Sequence, residues 1–158
     1  MARFPTEVER TVTARVPLPR TYEYLWNVPA SSRCIPGLAS CTPLGGYTYR
    51  FLYQEWSAGP LNMRVQYTAT YAGNGVDEIC FESTGARGDN TEVSGLIRLQ
   101  PSGMEATRIM LRQLIAPDTP IPRLLQTLIR SFIEREAAEG VQAYLTNIKR
   151  ALEDVVHA

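Results

Sequence analysis

The sequence predicts an α+β fold made of one strand, two short helices, an antiparallel meander and one long C-terminal helix. Three observations predict it. Residues 7–16 alternate between apolar and polar, residues 38–114 hold further strand patterns between short turn signals, and residues 121–155 follow the period of an amphipathic helix. The short connections favour antiparallel neighbours, since parallel strands need long crossovers.

Composition predicts one globular domain. The chain has 158 residues, 44% of them hydrophobic, and its 16 basic and 16 acidic residues cancel. A zero net charge argues against nucleic acid or an anionic membrane as partner. Three cysteines without paired spacing, Cys34, Cys41 and Cys80, argue against a disulfide framework. With no apolar signal segment and no stretch of about 18 apolar residues, we expect a soluble cytoplasmic protein.

The first strand pattern, residues 7–16, ends before two prolines. Pro19 suits the first turn of a helix, where its missing N–H is no loss. One face of that short helix holds Tyr22, Leu25 and Trp26. Pro29 ends it, and a second short helical turn is expected before Pro36.

The meander follows as six strand patterns. Gly45 and Gly46, between the first two, form a two-residue hairpin signal. The cleanest alternation covers residues 61–71. The predicted strands are 38–44, 47–56, 61–71, 79–83, 92–100 and 107–114.

The C-terminal segment, residues 121–155, keeps an apolar stripe at helical spacing and predicts a helix of roughly 50 Å. Gly140 lies in its middle, at a cost of about 1 kcal/mol relative to Ala. We interpret this glycine as a close approach to the sheet or a slight bend.

Four short segments carry a resemblance to a known superfamily: Val16-Pro17-Leu18-Pro19, Tyr22-Glu23-Tyr24-Leu25-Trp26-Asn27, Ile35-Pro36-Gly37-Leu38 and Leu44-Gly45-Gly46-Tyr47. Over essentially the whole chain the sequence resembles the START-like (SRPBCC) superfamily. Within it, the chain is most similar to the CoxG family of carbon monoxide dehydrogenase and to polyketide cyclase/dehydratase members. Asn27 departs from the Asp that many relatives carry. The resemblance implies a helix-grip fold, in which a curved sheet of six to seven strands wraps the C-terminal helix around an apolar cavity.

The odd-numbered positions of the meander strands would line the concave side of that sheet. The first short helix and the long C-terminal helix would close the cavity. Aromatic rings with a few hydroxyls suit an apolar ligand with one or two polar groups. The alternative is an ordinary core whose hydroxyls reach the rim or a backbone carbonyl. The predicted ligand-binding residues are Trp26, Tyr47, Tyr49, Phe51, Tyr53, Met63, Tyr67, Phe81, Leu125, Leu128 and Phe132.

No catalytic residue, cofactor or metal is predicted. The one histidine, His157, is the penultimate residue, and Glu55 is expected near the rim. The strand glutamates at 78, 82 and 92 fall on the outward face. One histidine and three scattered cysteines give no zinc or iron ligand spacing. Phosphate-loop and nucleophile-elbow patterns are also missing.

The outward strand face carries Arg50, Trp56, Arg64, Arg98 and Arg112. This pattern predicts either a solvated convex face or an interface, because Trp and Arg are enriched where proteins meet. The partner would be a second copy or another enzyme, with at most peripheral membrane contact.

Three functions compete. The first is a carrier of an apolar small molecule (lipid, quinone or polyketide-like), which the likeness to the CoxG family would make an accessory factor of a molybdenum hydroxylase. The second is a polyketide cyclase, aromatase or dehydratase, which needs a buried Glu, Asp or Arg beside the tyrosines. The third is an interaction module, which predicts no cavity above roughly 300 Å³.

Overall fold

The computed structural model describes residues 2–3, 5–58, 61–119 and 122–157, and within them the chain forms ten strands and three α-helices. The strands are β1 (Ala2–Arg3), β2 (Thr6–Ala14), β3 (Leu38–Gly45), β4 (Thr48–Tyr53), β5 (Trp56–Ala58), β6 (Leu61–Met63), β7 (Gln66–Gly73), β8 (Glu78–Ser83), β9 (Thr91–Pro101) and β10 (Thr107–Thr119). The helices are α1 (Leu18–Trp26), α2 (Val28–Ser31) and α3 (Gln126–His157). Short 3-10 turns cover Ser32–Cys34 and Arg123–Leu125. The helix start predicted at residue 121 and the side chains of Trp56 and His157 lie outside the described residues.

Eight strands form one antiparallel sheet in the order β1-β10-β9-β8-β7-β4-β3, and β2 pairs with β10 on the edge that β1 also occupies. The sheet is therefore seven strands wide. Helix α3 packs against it and contacts β2 and β10. The predicted α+β class, with two short helices after the first long strand and one long C-terminal helix, is confirmed.

The strand parities predicted from the sequence match the burial. Phe51, Ile79 and Ile109 have no exposed surface, and Leu145 and Ile148 of α3 are equally buried in the same core cluster. Burying a side chain of this size contributes about 1.5–3 kcal/mol. The odd-numbered positions of β4, β8, β9 and β10, and the even-numbered positions of β2, thus form the inner face of the sheet.

The chain leaves this sheet between β4 and β7, where the sequence predicted two uninterrupted strands. The β4–β7 ladder ends at the pair Leu52 and Gln66, and β5 and β6 pair only with each other. At the exit, the Gln54 N–H donates to the carbonyl of Gly37 at 2.8 Å. The predicted strands 47–56 and 61–71 are therefore wrong in extent. Alternation reports that residues are extended, and it cannot report which strand they pair with.

Strand β10 is longer than predicted, because its last residues still have partners. Pro117 lies opposite Thr91 of β9, and Thr119 lies opposite Ala2 of β1. The helix start moves accordingly, with a 3-10 turn at Arg123–Leu125 before α3. The segment 116–118 breaks the alternation, so no sequence pattern indicates this extension.

Gly95 of β9 lies beneath the ring of Phe81, its partner across the strands. A Cβ at position 95 would overlap that ring, which stacks on Tyr71 with a centroid distance of 5.2 Å. The sheet can therefore hold this aromatic only because residue 95 lacks a side chain.

We expect Gly95→Ala to lower the free energy of unfolding by about 1–3 kcal/mol, because the ring of Phe81 must move off Tyr71. Urea denaturation measures the change, and Ser94→Ala, on the neighbouring position, should stay within about 0.5 kcal/mol. Adding Phe81→Leu to Gly95→Ala should recover part of the loss. A double variant no more stable than Gly95→Ala would contradict the predicted overlap.

Candidate ligand-binding cavity

A cavity of about 530 Å³ lies between the inner face of the sheet and α3. This volume is in the range of small-molecule sites, about 300–1,000 Å³. Its buried wall is apolar and includes Met63, Phe81, Ile97, Leu111, Ile133 and Val141. Its mouth is formed by the exposed lining residues Pro36, Gly37, Gln54, Glu55, Glu136 and Glu139.

The cavity exists because α3 presents small residues to the sheet. Ala137, Gly140 and Ala143 all line it. A Cβ built on Gly140 meets no atom within 4 Å. The predicted close approach of Gly140 to the sheet is therefore wrong, and the missing side chain instead leaves part of the cavity empty.

Four tyrosine side chains bring hydroxyl groups to the wall: Tyr53 of β4, Tyr67 and Tyr71 of β7, and Tyr144 of α3. The hydroxyls of Tyr53 and Tyr67 form a hydrogen bond of 3.2 Å. Burial raises the pKa of all four phenols above the ordinary value. At neutral pH they are protonated, so none can act as a phenolate base. In the Tyr53–Tyr67 pair one hydroxyl already donates its proton to the other.

The other polar lining groups are two amides, Gln113 inside and Gln54 at the mouth, and three carboxylates at the mouth. Gln113 of β10 shares the inward parity of Leu111 and is partly exposed to the cavity. Glu55, Glu136 and Glu139 are exposed. Among the described residues that line the cavity there is no Lys, Arg or His, and no acidic group is buried beside the tyrosines.

Four of the predicted ligand-binding residues line this cavity: Tyr53, Met63, Tyr67 and Phe81. Two more do not line the cavity but contact tyrosines that do. Phe51 is fully buried and stacks on Tyr67 with a centroid distance of 4.9 Å, and Tyr49 meets Tyr71 edge-on at 5.7 Å. Their predicted role as direct lining is corrected to support.

Trp26 and Tyr47, which are predicted ligand-binding residues, do not line this cavity. Their rings pack on each other with a centroid distance of 5.1 Å. Tyr47 has a positive φ of 59° and lies just before β4, so it escapes the alternation of that strand. It is 58% exposed.

The three predicted residues at the start of α3 also fall outside the lining. Leu128 is 70% exposed, and Leu125 and Phe132 are half-buried outside the cavity. The inward stripe of α3 instead runs through Ile129, Ile133, Ala137, Gly140 and Tyr144. Leu128 and Phe132 each lie one position before a residue of this stripe, about 100° around the helix axis, and they face away from the cavity. Leu125 precedes α3, in the 3-10 turn.

Sequence reasoning missed Gln113, Glu136, Glu139 and Tyr144 as lining residues. Signals existed for three of them. Gln113 continues the inward parity of Ile109 and Leu111 along β10. Glu136 and Tyr144 lie four residues before and after Gly140, on the same face of α3, so the empty position marks them as cavity-facing. Glu139 is adjacent to Gly140 in the chain and is not indicated by that spacing.

The residues of the predicted arginine and tryptophan face do not all belong to the main sheet. Arg50, Arg98 and Arg112 are exposed on the main sheet, whereas Trp56 belongs to β5 and Arg64 to the connection after β6. The Nε of Arg98 lies 2.8 Å from a carboxylate oxygen of Glu78, and the Nε of Arg112 lies 3.6 Å from one of Glu7. Cross-strand ion pairs of this kind are typical of a solvated face.

Neither a metal site nor a membrane span is found in the described residues. No three His, Cys, Asp or Glu side chains there come together as ligands for a metal ion. No helix in the described part of the chain is long and apolar enough to cross a membrane.

Alkaline pH should destabilise the fold through the cavity tyrosines. The unfolded chain releases their protons near pH 10 and the folded chain only above it, because burial raises the folded pKa. The contribution of these tyrosines to stability is therefore constant below about pH 9 and falls above it, by up to about 1.4 kcal/mol per pH unit for each group. Urea denaturation and tyrosinate absorbance measure this. Ionisation of all eight tyrosines in one step near pH 10, without loss of stability, would contradict it.

No protein-family model matches the chain, and no curated protein matches it significantly. Solved structures do match. The Zhui aromatase/cyclase from Streptomyces sp. R1128 has a TM-score of 0.72 at 15% identity, over 96% of this chain and 96% of that one. TTHA0849 from Thermus thermophilus has 0.69 at 18%, over 94% and 98%. A START superfamily protein from Mycobacterium smegmatis has 0.68 at 12%, over 94% and 98%. These likenesses show that the fold is the START-like helix-grip fold.

Proposed function

We propose that the chain binds and carries an apolar small molecule in the cavity between the sheet and α3. The observation that supports this most is the cavity itself, about 530 Å³ with an apolar wall and a polar mouth. Protein cores are usually close-packed, and an empty cavity of this size lowers the stability of the fold. The small residues of α3 keep it open, which makes sense if a ligand occupies it.

The ligand class is an apolar body with one or two hydrogen-bonding groups. The apolar wall matches the body, and the hydroxyls of Tyr53, Tyr67, Tyr71 and Tyr144 match the polar groups. Lipids, quinones and polyketide-like molecules all fit that description. A role as accessory factor of a molybdenum hydroxylase rests on the sequence resemblance alone and stays a prediction.

A cyclase or aromatase is the second candidate. It is favoured by the structural likeness to the Zhui aromatase/cyclase and by protonated phenols that could donate protons. It is weakened by the lining, because no Glu, Asp or Arg among the described residues is buried beside the tyrosines. General acid–base catalysis also needs a proton acceptor within reach of the substrate, and protonated phenols do not supply one. The third hypothesis, an interaction module without a ligand cavity, is disfavoured because the cavity exceeds roughly 300 Å³.

Native mass spectrometry of protein purified without added ligand tests the proposal. We expect a discrete apolar adduct, released by solvent extraction, whose chemistry chooses between lipid, quinone and polyketide. The unliganded protein should also bind N-phenyl-1-naphthylamine, an uncharged apolar fluorophore. A bare mass, with no binding of this fluorophore, a long-chain alcohol or a quinone, would reject the carrier. Turnover of a linear polyketide analogue would instead establish the cyclase.

A further inference from the structure

The charged side chains that line the cavity are all acidic. Its mouth holds three carboxylates, Glu55, Glu136 and Glu139, all exposed. No basic residue lines the cavity in the part of the chain that the structure describes. On α3 the guanidinium of Arg135 lies over the ring of Phe132 at 5.6 Å, outside the lining. A ligand that enters therefore passes negative charge and meets no positive charge inside.

This arrangement has opposite consequences for neutral and anionic ligands. A carboxylate, sulfonate or phosphate would lose water without gaining a counter-charge, which is costly in an apolar wall. It would also be repelled by the mouth. A hydroxyl or ketone suits the interior, because phenol groups both donate and accept hydrogen bonds and the Gln113 amide does the same.

We infer that the cavity selects an uncharged ligand bearing hydroxyl or ketone groups and rejects an anionic ligand of the same shape. This inference rests on the proposed function and narrows its ligand class. Free fatty acids and phosphorylated lipids are then poor ligands, whereas fatty alcohols, quinols and neutral polyketides remain.

Two fluorophores with one aromatic body separate the cases. N-phenyl-1-naphthylamine is neutral, and 8-anilinonaphthalene-1-sulfonate adds a sulfonate to the same skeleton. At low salt we expect the dissociation constant of the sulfonate to be at least about tenfold higher than that of the neutral probe. A factor of this size corresponds to the repulsion between the sulfonate and a few solvent-screened carboxylates. Dodecanol should likewise displace the neutral probe better than dodecanoate. Raising the salt concentration should narrow the difference, since exposed carboxylates are screened.

The variant E136Q/E139Q locates the cause. It removes two mouth carboxylates, so the dissociation constant of the sulfonate should fall more than that of the neutral probe, and the ratio of the two should fall severalfold. The control E134Q changes a neighbouring exposed glutamate that does not line the cavity and should leave the ratio unchanged. Equal binding of both probes, or a ratio unmoved in E136Q/E139Q, would overturn the inference and leave the carrier standing. Failure of all neutral probes would instead reject the proposed function.

Discussion

Phe51→Ala is expected to lower the free energy of unfolding by about 3–5 kcal/mol, the usual cost of truncating a buried Phe. Phe51 has no exposed surface. Its ring stacks on Tyr67 at 4.9 Å and lies 6.3 Å from Tyr71, so two tyrosines of the cavity wall lose their support together. Urea denaturation of the variant measures the loss.

Arg50→Ala is the matched control, because Arg50 precedes Phe51 in β4 and points to the exposed side. We expect a change within about 0.5 kcal/mol. A loss below about 1 kcal/mol for Phe51→Ala would mean that the wall behind the cavity is not tightly packed. The comparison therefore tests the packing of the inner face apart from the stability of the strand.

The faces of the sheet could be predicted because burial follows a period of two. Phe51, Ile79 and Ile109 all fall on the inner face, as their parity indicates. The detour of residues 54–65 could not, because both arms of the β5–β6 hairpin continue the alternation of the strands beside them. Pairing depends on contacts distant in sequence, and alternation carries no such information.

The cavity is harder to predict than the sheet, because a filled core and a ligand site need the same apolar inward residues. The difference is one of volume. It lies in Ala137, Gly140 and Ala143, small residues that α3 presents where larger ones would fill the space. Tyr53 and Tyr67 could be assigned from parity, whereas Tyr144 required knowing which stripe of α3 faces the sheet.

Gly140→Phe is expected to abolish most ligand binding without unfolding the chain. The position is open, with no atom within 4 Å of an added Cβ, and its neighbours along α3 line the cavity. A ring there would occupy the space of the ligand. If it removes about 100 Å² of apolar ligand contact, the loss is about 2.5 kcal/mol, or roughly 70-fold in the Kd of N-phenyl-1-naphthylamine.

The free energy of unfolding of Gly140→Phe should rise rather than fall, since glycine is unfavourable within a helix by about 0.5–1 kcal/mol. Gln142→Phe is the control, because it adds the same ring to an exposed position of α3 that does not line the cavity. It should leave the Kd within about twofold, a difference well below 1 kcal/mol. Unchanged probe binding in a stable Gly140→Phe protein would place the ligand elsewhere. A variant that stays folded but no longer binds the probe has a filled cavity and an intact fold. The two variants therefore distinguish the effect of filling the cavity from an effect on the fold that encloses it.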